Sequence, residues 1–172
     1  MNPTALTQAV EDVLLQGRAL LTSVDDATYS RMREGGSSMG AHYRHVLDHF
    51  ICLIEGLRDG HIDYDRRERN PKLENHVEDA RFVTESLLQE FRGLESAVLK
   101  RDCTVAYAVG YREADAQAVP SNIAREVMFC VGHAINHYAI IKIVAEQMGV
   151  QLMPKFGVAP STIKYLESQA AG

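Results

Sequence analysis

The sequence predicts an all-α fold: a four-helix bundle with a long crossover between its third and fourth helices, the crossover containing a short β-hairpin. Three observations predict it. Apolar residues recur at three- and four-residue spacing along four long stretches. Each stretch opens on a capping residue, twice as an Asn-Pro pair. Between the third and fourth stretches the helical pattern lapses into β-branched and aromatic residues around a glycine.

The first helix is expected from Pro3 to Val24, with Leu6, Val10, Val13, Gly17, Leu20 and Val24 on one stripe. The second starts after Gly35-Gly36, capped by Ser37 or Ser38, and runs to about Arg58, before Gly60. The third follows Asn70-Pro71. Its Leu73, Val77, Ala80, Thr84, Leu87, Phe91, Leu94 and Val98 alternate steps of four and three, the seam of a bundle helix. The segment CTVAYAVGYREADAQAV, centred on Gly110, is the expected hairpin. The fourth helix starts near Ser121 or Asn122 and stops at Gly149, a C-terminal glycine cap. A short helix is expected after Ser161. No linker or repeat divides the chain, so residues 1–172 are expected to form one domain.

Composition narrows the function classes. With 18 Lys+Arg against 23 Asp+Glu and no basic block, nucleic acid is not an expected partner. No run of about 18 apolar residues exists, so no membrane association is expected. The opening MNPTALTQAVEDVLL has no basic stretch leading into an apolar one, so it does not read as a signal peptide. Three cysteines at unpatterned spacing suit a reducing cytoplasm, the expected location. A homodimer through an exposed helix face is a further expectation, with Leu94 and Val98 offered for that face.

The histidines carry the chemistry. In GAHYRHVLDHF, His42, His45 and His49 lie at i, i+3 and i+7, within about 60° of arc on a helix. They flank the apolar stripe of Tyr43, Val46, Leu47, Phe50, Ile54 and Leu57, away from Arg44, Asp48, Glu55 and Arg58. On the fourth helix His133 and His137 are four apart and share the apolar face with Ile140, Ile141 and Val144. Each imidazole brings two polar nitrogens that must be satisfied when buried. A metal ion satisfies them: two imidazoles at i, i+4 converge on one ion, and a histidine of the facing helix completes a three-nitrogen set with a position left open. The competing reading is hydrogen-bonded histidines lining a wet cleft without metal. His61 and His76 fall in or near loops and read as solvated.

Glu126 shares the His133 face as a base, a fourth ligand or a residue behind the ligands, or it simply serves the helix N-terminus. Cys130 is a thiolate ligand or a small apolar residue. In HIDYDRRERNPKLE, a charge-dense connection, Tyr64, Arg67 and Arg69 are candidates for the rim of a cleft.

These motifs resemble the DinB-like family of bacterial four-helix proteins. GAHYRHVLDHF is similar to the family's G-x-H-x-x-H segment, and REVMFCVGHAINHYAII to its later histidine helix. IDYDRRERN and FGVAPSTIKYL resemble a subgroup of uncharacterised members. The resemblance spans about residues 5 to 168 and implies a divalent metal (zinc, nickel or iron) on His45, His133 and His137. His49 and His42 stand as alternates on the second helix. It also implies chemistry of the thiol-dependent transferase or isomerase kind, with a low-molecular-weight thiol as cosubstrate beside a small-molecule substrate. A metal-dependent hydrolase and a non-catalytic metal- or ligand-binding bundle are the other two readings.

Overall fold

A computed structural model describes residues 3–32, 36–108, 110–111 and 116–170. Four long helices make the bundle: α1 (Pro3–Thr22), α3 (Met39–Gly56), α5 (Val77–Arg92) and α6 (Ile123–Gln147). α1 packs on α5 and α6, and α3 packs on the same two, so the helices close into a ring in the order α1, α5, α3, α6. Shorter helices α2 (Asp26–Tyr29), α4 (Pro71–Asn75) and α7 (Pro160–Ala170) decorate it.

The amphipathic stripes meet as their spacing requires. Leu14 and Leu20 of α1, Tyr43, Leu47, Phe50 and Leu53 of α3, Leu88 and Phe91 of α5, and Tyr138 and Ile141 of α6 are all buried in one cluster. The buried tyrosines keep their hydroxyls satisfied, which makes them tolerable in an apolar core. Tyr138 donates to the Val13 carbonyl at 3.0 Å and Tyr29 to that of Leu73 at 2.8 Å. The Thr84 hydroxyl gives its proton to the Ala80 carbonyl at 2.7 Å, so Tyr43 is the donor in its 2.7 Å contact with Thr84.

Caps and stops follow local chemistry. Ser38 accepts the Ala41 N–H, and Asn122 accepts the Arg125 N–H. Beyond α6, Gly149 has φ of 73°. The Val150 N–H reaches the Ala145 carbonyl and the Gly149 N–H that of Glu146, the paired bonds of a Schellman stop.

The crossover holds the expected hairpin. After a 3-10 turn (Val98–Lys100), β2 (Asp102–Ala108) pairs antiparallel with β3 (Ala116–Asn122), with Val105 opposite Val119. A strand the sequence did not suggest, β1 (His61–Asp63), pairs parallel with β2, with Ile62 opposite Val105. Three residues are too few for a period-two pattern to register.

The third predicted helix is two. The chain turns extended at His76 (φ −124°, ψ 118°), separating α4 from α5. Asp26 explains the break: its carboxylate accepts the Val77 N–H at 2.7 Å and approaches the His76 ring at 3.2 Å, capping α5 from a distant segment. The seam survives, since Leu73, Val77, Ala80, Thr84, Leu87 and Phe91 are all buried. α5 ends at Gly93, so Leu94 and Val98 lie beyond it, and Leu94 is half-buried against the core. Likewise α1 ends at Thr22 and α3 at Gly56, two residues before the predicted Val24 and Arg58.

By length and composition α6 is apolar enough to cross a membrane. In the fold its Val127, Cys130, Ala134, Tyr138 and Ile141 are core residues.

Gly56 lets β1 lie directly on α3. A Cβ there would stand 2.7 Å from the His61 carbonyl oxygen and 2.6 Å from Ile62 Cγ1, closer than packed atoms come. Gly56→Ala must therefore push β1 off the helix. We expect a loss of about 1–3 kcal/mol, read as a melting temperature lower by roughly 2–10 °C. An unchanged melting temperature would show that β1 is not tightly seated.

Candidate metal centre

The packing of α3 on α6 sets two histidine-bearing strips face to face. His42, His45 and His49 come from α3, and His133 and His137 from α6. The ring centroids of His49 and His133 are 4.1 Å apart, those of His45 and His49 4.6 Å, and those of His45 and His133 4.9 Å. One nitrogen from each of these three lies within 4.8 Å of the other two. His137 is adjacent, 4.6 Å from both the His45 and the His133 rings, and its Nδ1 meets His42 Nδ1 at 3.0 Å. All five histidines of the two strips thus form one patch. The tightest group is His45, His49 and His133, with His137 and His42 next to it. His61 and His76 are exposed and lie elsewhere, on Thr104 and Asp26.

The tautomers follow from the partners. His49 Nδ1 donates to the His45 carbonyl at 2.9 Å, which leaves Nε2 as a lone pair aimed into the group. A backbone carbonyl holding the far nitrogen is the arrangement that orients a metal-ligating histidine. His133 Nε2 is buried and has no hydrogen-bond partner. A buried nitrogen without a partner beside two other imidazoles is a donor set that suits a divalent cation, so the residues present fit one.

Burial keeps the rings neutral. It pulls the His45 pKa down to about 2 and those of His49, His133 and His137 to about 4, with the neighbouring histidines or Arg67 adding to the effect at each. Neutral imidazole is the ligating form. One wall is aromatic: Tyr64 stacks on His49 at 5.3 Å and Phe129 on His133 at 5.7 Å.

Glu126 is fully buried, and its carboxylate is taken up away from the rings. Tyr64 donates to Oε2 at 3.1 Å, and Arg125, at 2.8 Å, and Ser121 donate to Oε1. Tyr64 thus stands between the two, its hydroxyl on Glu126 and its ring on His49. The Cys130 thiol is pushed up to about 12 by burial and points at the His49 carbonyl, 3.7 Å away. It is the small apolar residue of the two readings, not a thiolate.

Arg67, on the connection after β1, donates from Nη1 to His45 Nδ1 at 2.9 Å. It also lines a cleft of about 710 Å³ that runs along α3 past Asp48, Cys52, Glu55, Asp63 and Asn70. The sequence offered Tyr64, Arg67 and Arg69 for the rim of a cleft, and the structure sets Tyr64 and Arg67 against the histidines themselves. Their place against the histidines depends on the β1–β2 pairing and on Gly56. Phe129 carried no signal beyond its position one turn before His133.

The profile of the DinB superfamily matches residues 15–141, which takes in both histidine helices. The chain belongs to the DinB superfamily. Two solved structures share the superfamily's fold with it. YfiT from Bacillus subtilis, described as a probable metal-dependent hydrolase with an unusual four-helix bundle topology, superposes with a TM-score of 0.61 at 15% identity, over 87% of this chain and 89% of that one. A DinB-like protein from Bacillus cereus gives a TM-score of 0.54 at 12% identity, over 86% and 93% of the two chains. The chain is also 27% identical over 108 residues to FK506-binding protein 5 of Rhizopus delemar. That match takes in 63% of this chain and spans only 28% of the fungal protein's length.

The depressed histidine pKa values set a pH dependence. In the unfolded chain imidazoles titrate near 6.5. As pH falls from about 6.5 towards 4, the unfolded state takes up protons that the folded state refuses, so stability is present above that window and is lost through it. We expect the urea midpoint of metal-free protein to fall steadily from pH 6.5 to 4.5, and to fall less steeply in His49→Ala. A flat profile in the wild type would contradict the burial of neutral rings.

Proposed function

We propose that this member of the DinB superfamily is a divalent-metal-dependent enzyme acting on a small molecule, with hydrolysis as its reaction. The observation that carries this reading is the convergence of neutral imidazole nitrogens from two facing helices on a point where His133 Nε2 has no partner. His45 and His133 are ligands. The third nitrogen comes from His49, which completes the tight group, or from His137, which the i, i+4 spacing favours and which lies 4.6 Å from both. A divalent ion held by three imidazoles keeps a position open and supplies Lewis acidity to a carbonyl or to water.

The chain's own residues supply the setting. The His45 carbonyl fixes the His49 ring, Tyr64 and Phe129 cover one side of the group, and Arg67, bonded to His45, also lines the cleft along α3. Its volume is in the range of small-molecule sites. The carboxylate of Glu126, already receiving three donors, holds Tyr64 and does not serve as the base. The relative described as a probable metal-dependent hydrolase supports the same class.

A thiol-dependent transfer is the second reading, and one observation bears on it. Cys52, Cys103 and Cys130 are all buried with their thiols pushed up by burial, Cys52 to about 11. A nucleophilic thiol would therefore be a low-molecular-weight cosubstrate from solution. Ester probes turned over without added thiol favour hydrolysis; turnover only with thiol, and with its consumption, favours transfer.

Elemental analysis of protein purified without chelator should find about one equivalent of zinc, nickel or iron. His45→Ala and His133→Ala should each lose it while keeping helical circular dichroism. Of His49→Ala and His137→Ala, the one that also loses it identifies the third ligand. Full retention by both His45→Ala and His133→Ala would overturn the site.

A further inference from the structure

The outer side of α6 is apolar and exposed. Of the most apolar 18 residues of this helix, 33% are buried in the fold. The inward arc carries the core residues and borders the histidines. On the opposite side Met128, Gly132, Ile135, Ala139 and Ile143 recur at steps of four, three, four and four, within about 80° of arc. Met128 is 55% and Ile143 52% exposed, and Gly132 and Ala139 are exposed with them. A Cβ at Gly132 would meet no atom within 4 Å. A single exposed apolar residue such as Phe82 on α5 calls for no partner, whereas a contiguous apolar seam marks a contact surface. Leu94 and Val98, the residues that the sequence offered for a dimer face, are half-buried.

The seam is symmetric about its own midpoint, between Ile135 and Asn136. Gly132 and Ala139 lie equally far on either side, then Met128 and Ile143, then Arg125 and Glu146. The end residues carry opposite charges and both are exposed; Arg125, bonded to Glu126, keeps 61% of its side chain open to solvent. A twofold rotation through the midpoint sets Gly132 on Ala139, Met128 on Ile143, and Arg125 on Glu146 at both ends. Small residues facing each other let the backbones approach, and the larger pairs interlock beyond them. A parallel arrangement would set Arg125 on Arg125 and Glu146 on Glu146, so charge selects the antiparallel one. A patch complementary to itself under a twofold is what an isologous contact requires. A bilayer fits the face worse. Asn136 is exposed at its centre, a charge stands at each end, and the net charge of −5 opposes anionic lipid.

We propose that the outer face of α6 receives a second copy of this chain, the two α6 helices packing antiparallel about the midpoint between Ile135 and Asn136. The strip from Arg125 to Glu146 is about 32 Å long. One helix face of that length lies at the low end of specific interfaces. The dimer is therefore concentration-dependent, with a Kd in the micromolar range. Ile140, 41% exposed, separates the seam from His133 and His137 on the helix surface. The contact thus borders the histidine face without using it, and it stands apart from the metal reading.

Sedimentation velocity on the full chain, from about 1 to 200 µM, reads the association. Wild type should pass from monomer to dimer across that range. Gly132→Lys puts a long charged side chain where the monomer has room and the dimer has none. Ile143→Glu puts a charge at a position exposed in the monomer and covered in the dimer. Each should weaken dimerisation at least about tenfold and keep the helical circular dichroism of wild type. Cross-linking reads the register. A mixture of Met128→Cys and Ile143→Cys proteins should form disulfide-linked dimers faster than either protein alone, against a low background because Cys52, Cys103 and Cys130 are buried. Wild type that stays monomeric at about 200 µM, a dimer that either folded variant keeps, or cross-links that form as fast without mixing would each overturn the contact. Co-sedimentation of monomeric wild type with phosphatidylcholine vesicles would overturn it too, by assigning the face to lipid. None of these results bears on the metal centre.

Discussion

The structure depends on the desolvation of histidines at the seam between α3 and α6. Packing these two helices buries apolar stripes on both, and the same contact withdraws imidazole nitrogens from water. His49 is 1% exposed, and His45, His133 and His137 are largely covered. Polar nitrogens placed there cost free energy unless something takes their lone pairs. The His45 carbonyl accepts the Nδ1 proton of His49 and Arg67 donates to the lone pair of His45 Nδ1, while His133 Nε2 has no partner. A seam built only for stability would carry leucine at these positions, and the proposed coordination chemistry is what would offset the packing energy given up.

The surroundings hold that seam in shape. Gly56 admits β1 to the side of α3, and the strand delivers Tyr64 and Arg67 to the histidines. Glu126 is fully buried because Tyr64, Ser121 and Arg125 all donate to it, and through Tyr64 it holds one face of His49. The crossover hairpin therefore does more than connect α5 to α6. Its first strand pairs with β1, and its second ends at Asn122, the cap of the helix that carries His133.

Much of this was legible in the amino-acid sequence, because helical periodicity records which side of a helix is buried. The seam from Leu73 to Phe91, the caps at Ser38 and Asn122 and the Gly149 stop are local features, and they read correctly. The face shared by His42, His45 and His49 was equally legible. What escaped depends on partners far along the chain. The break at His76 is made by Asp26, fifty residues earlier. β1 exists because β2 pairs with it, and no period could show that over three residues. The spacing that singled out His137 with His133 holds on one helix. Which nitrogens meet depends on the rotation of α3 against α6, and that brings His49 into the tight group. Glu126 stood on the correct face, yet its role was set by Tyr64, Ser121 and Arg125, none within a helical turn except Arg125.

X-ray absorption at the metal edge of protein isolated without chelator would show whether the α3–α6 histidines hold an ion, since it reads the ligand atoms and not merely the presence of an ion. The expected spectrum is a shell of imidazole nitrogens at about 2.0–2.1 Å, with the outer-shell scattering of three rings and no sulfur. A sulfur shell at about 2.3 Å would bring Cys130 or another thiolate into the site and contradict it. A shell of oxygens alone, without imidazole scattering, would place the ion elsewhere on the protein and leave the buried histidines as the lining of a polar seam.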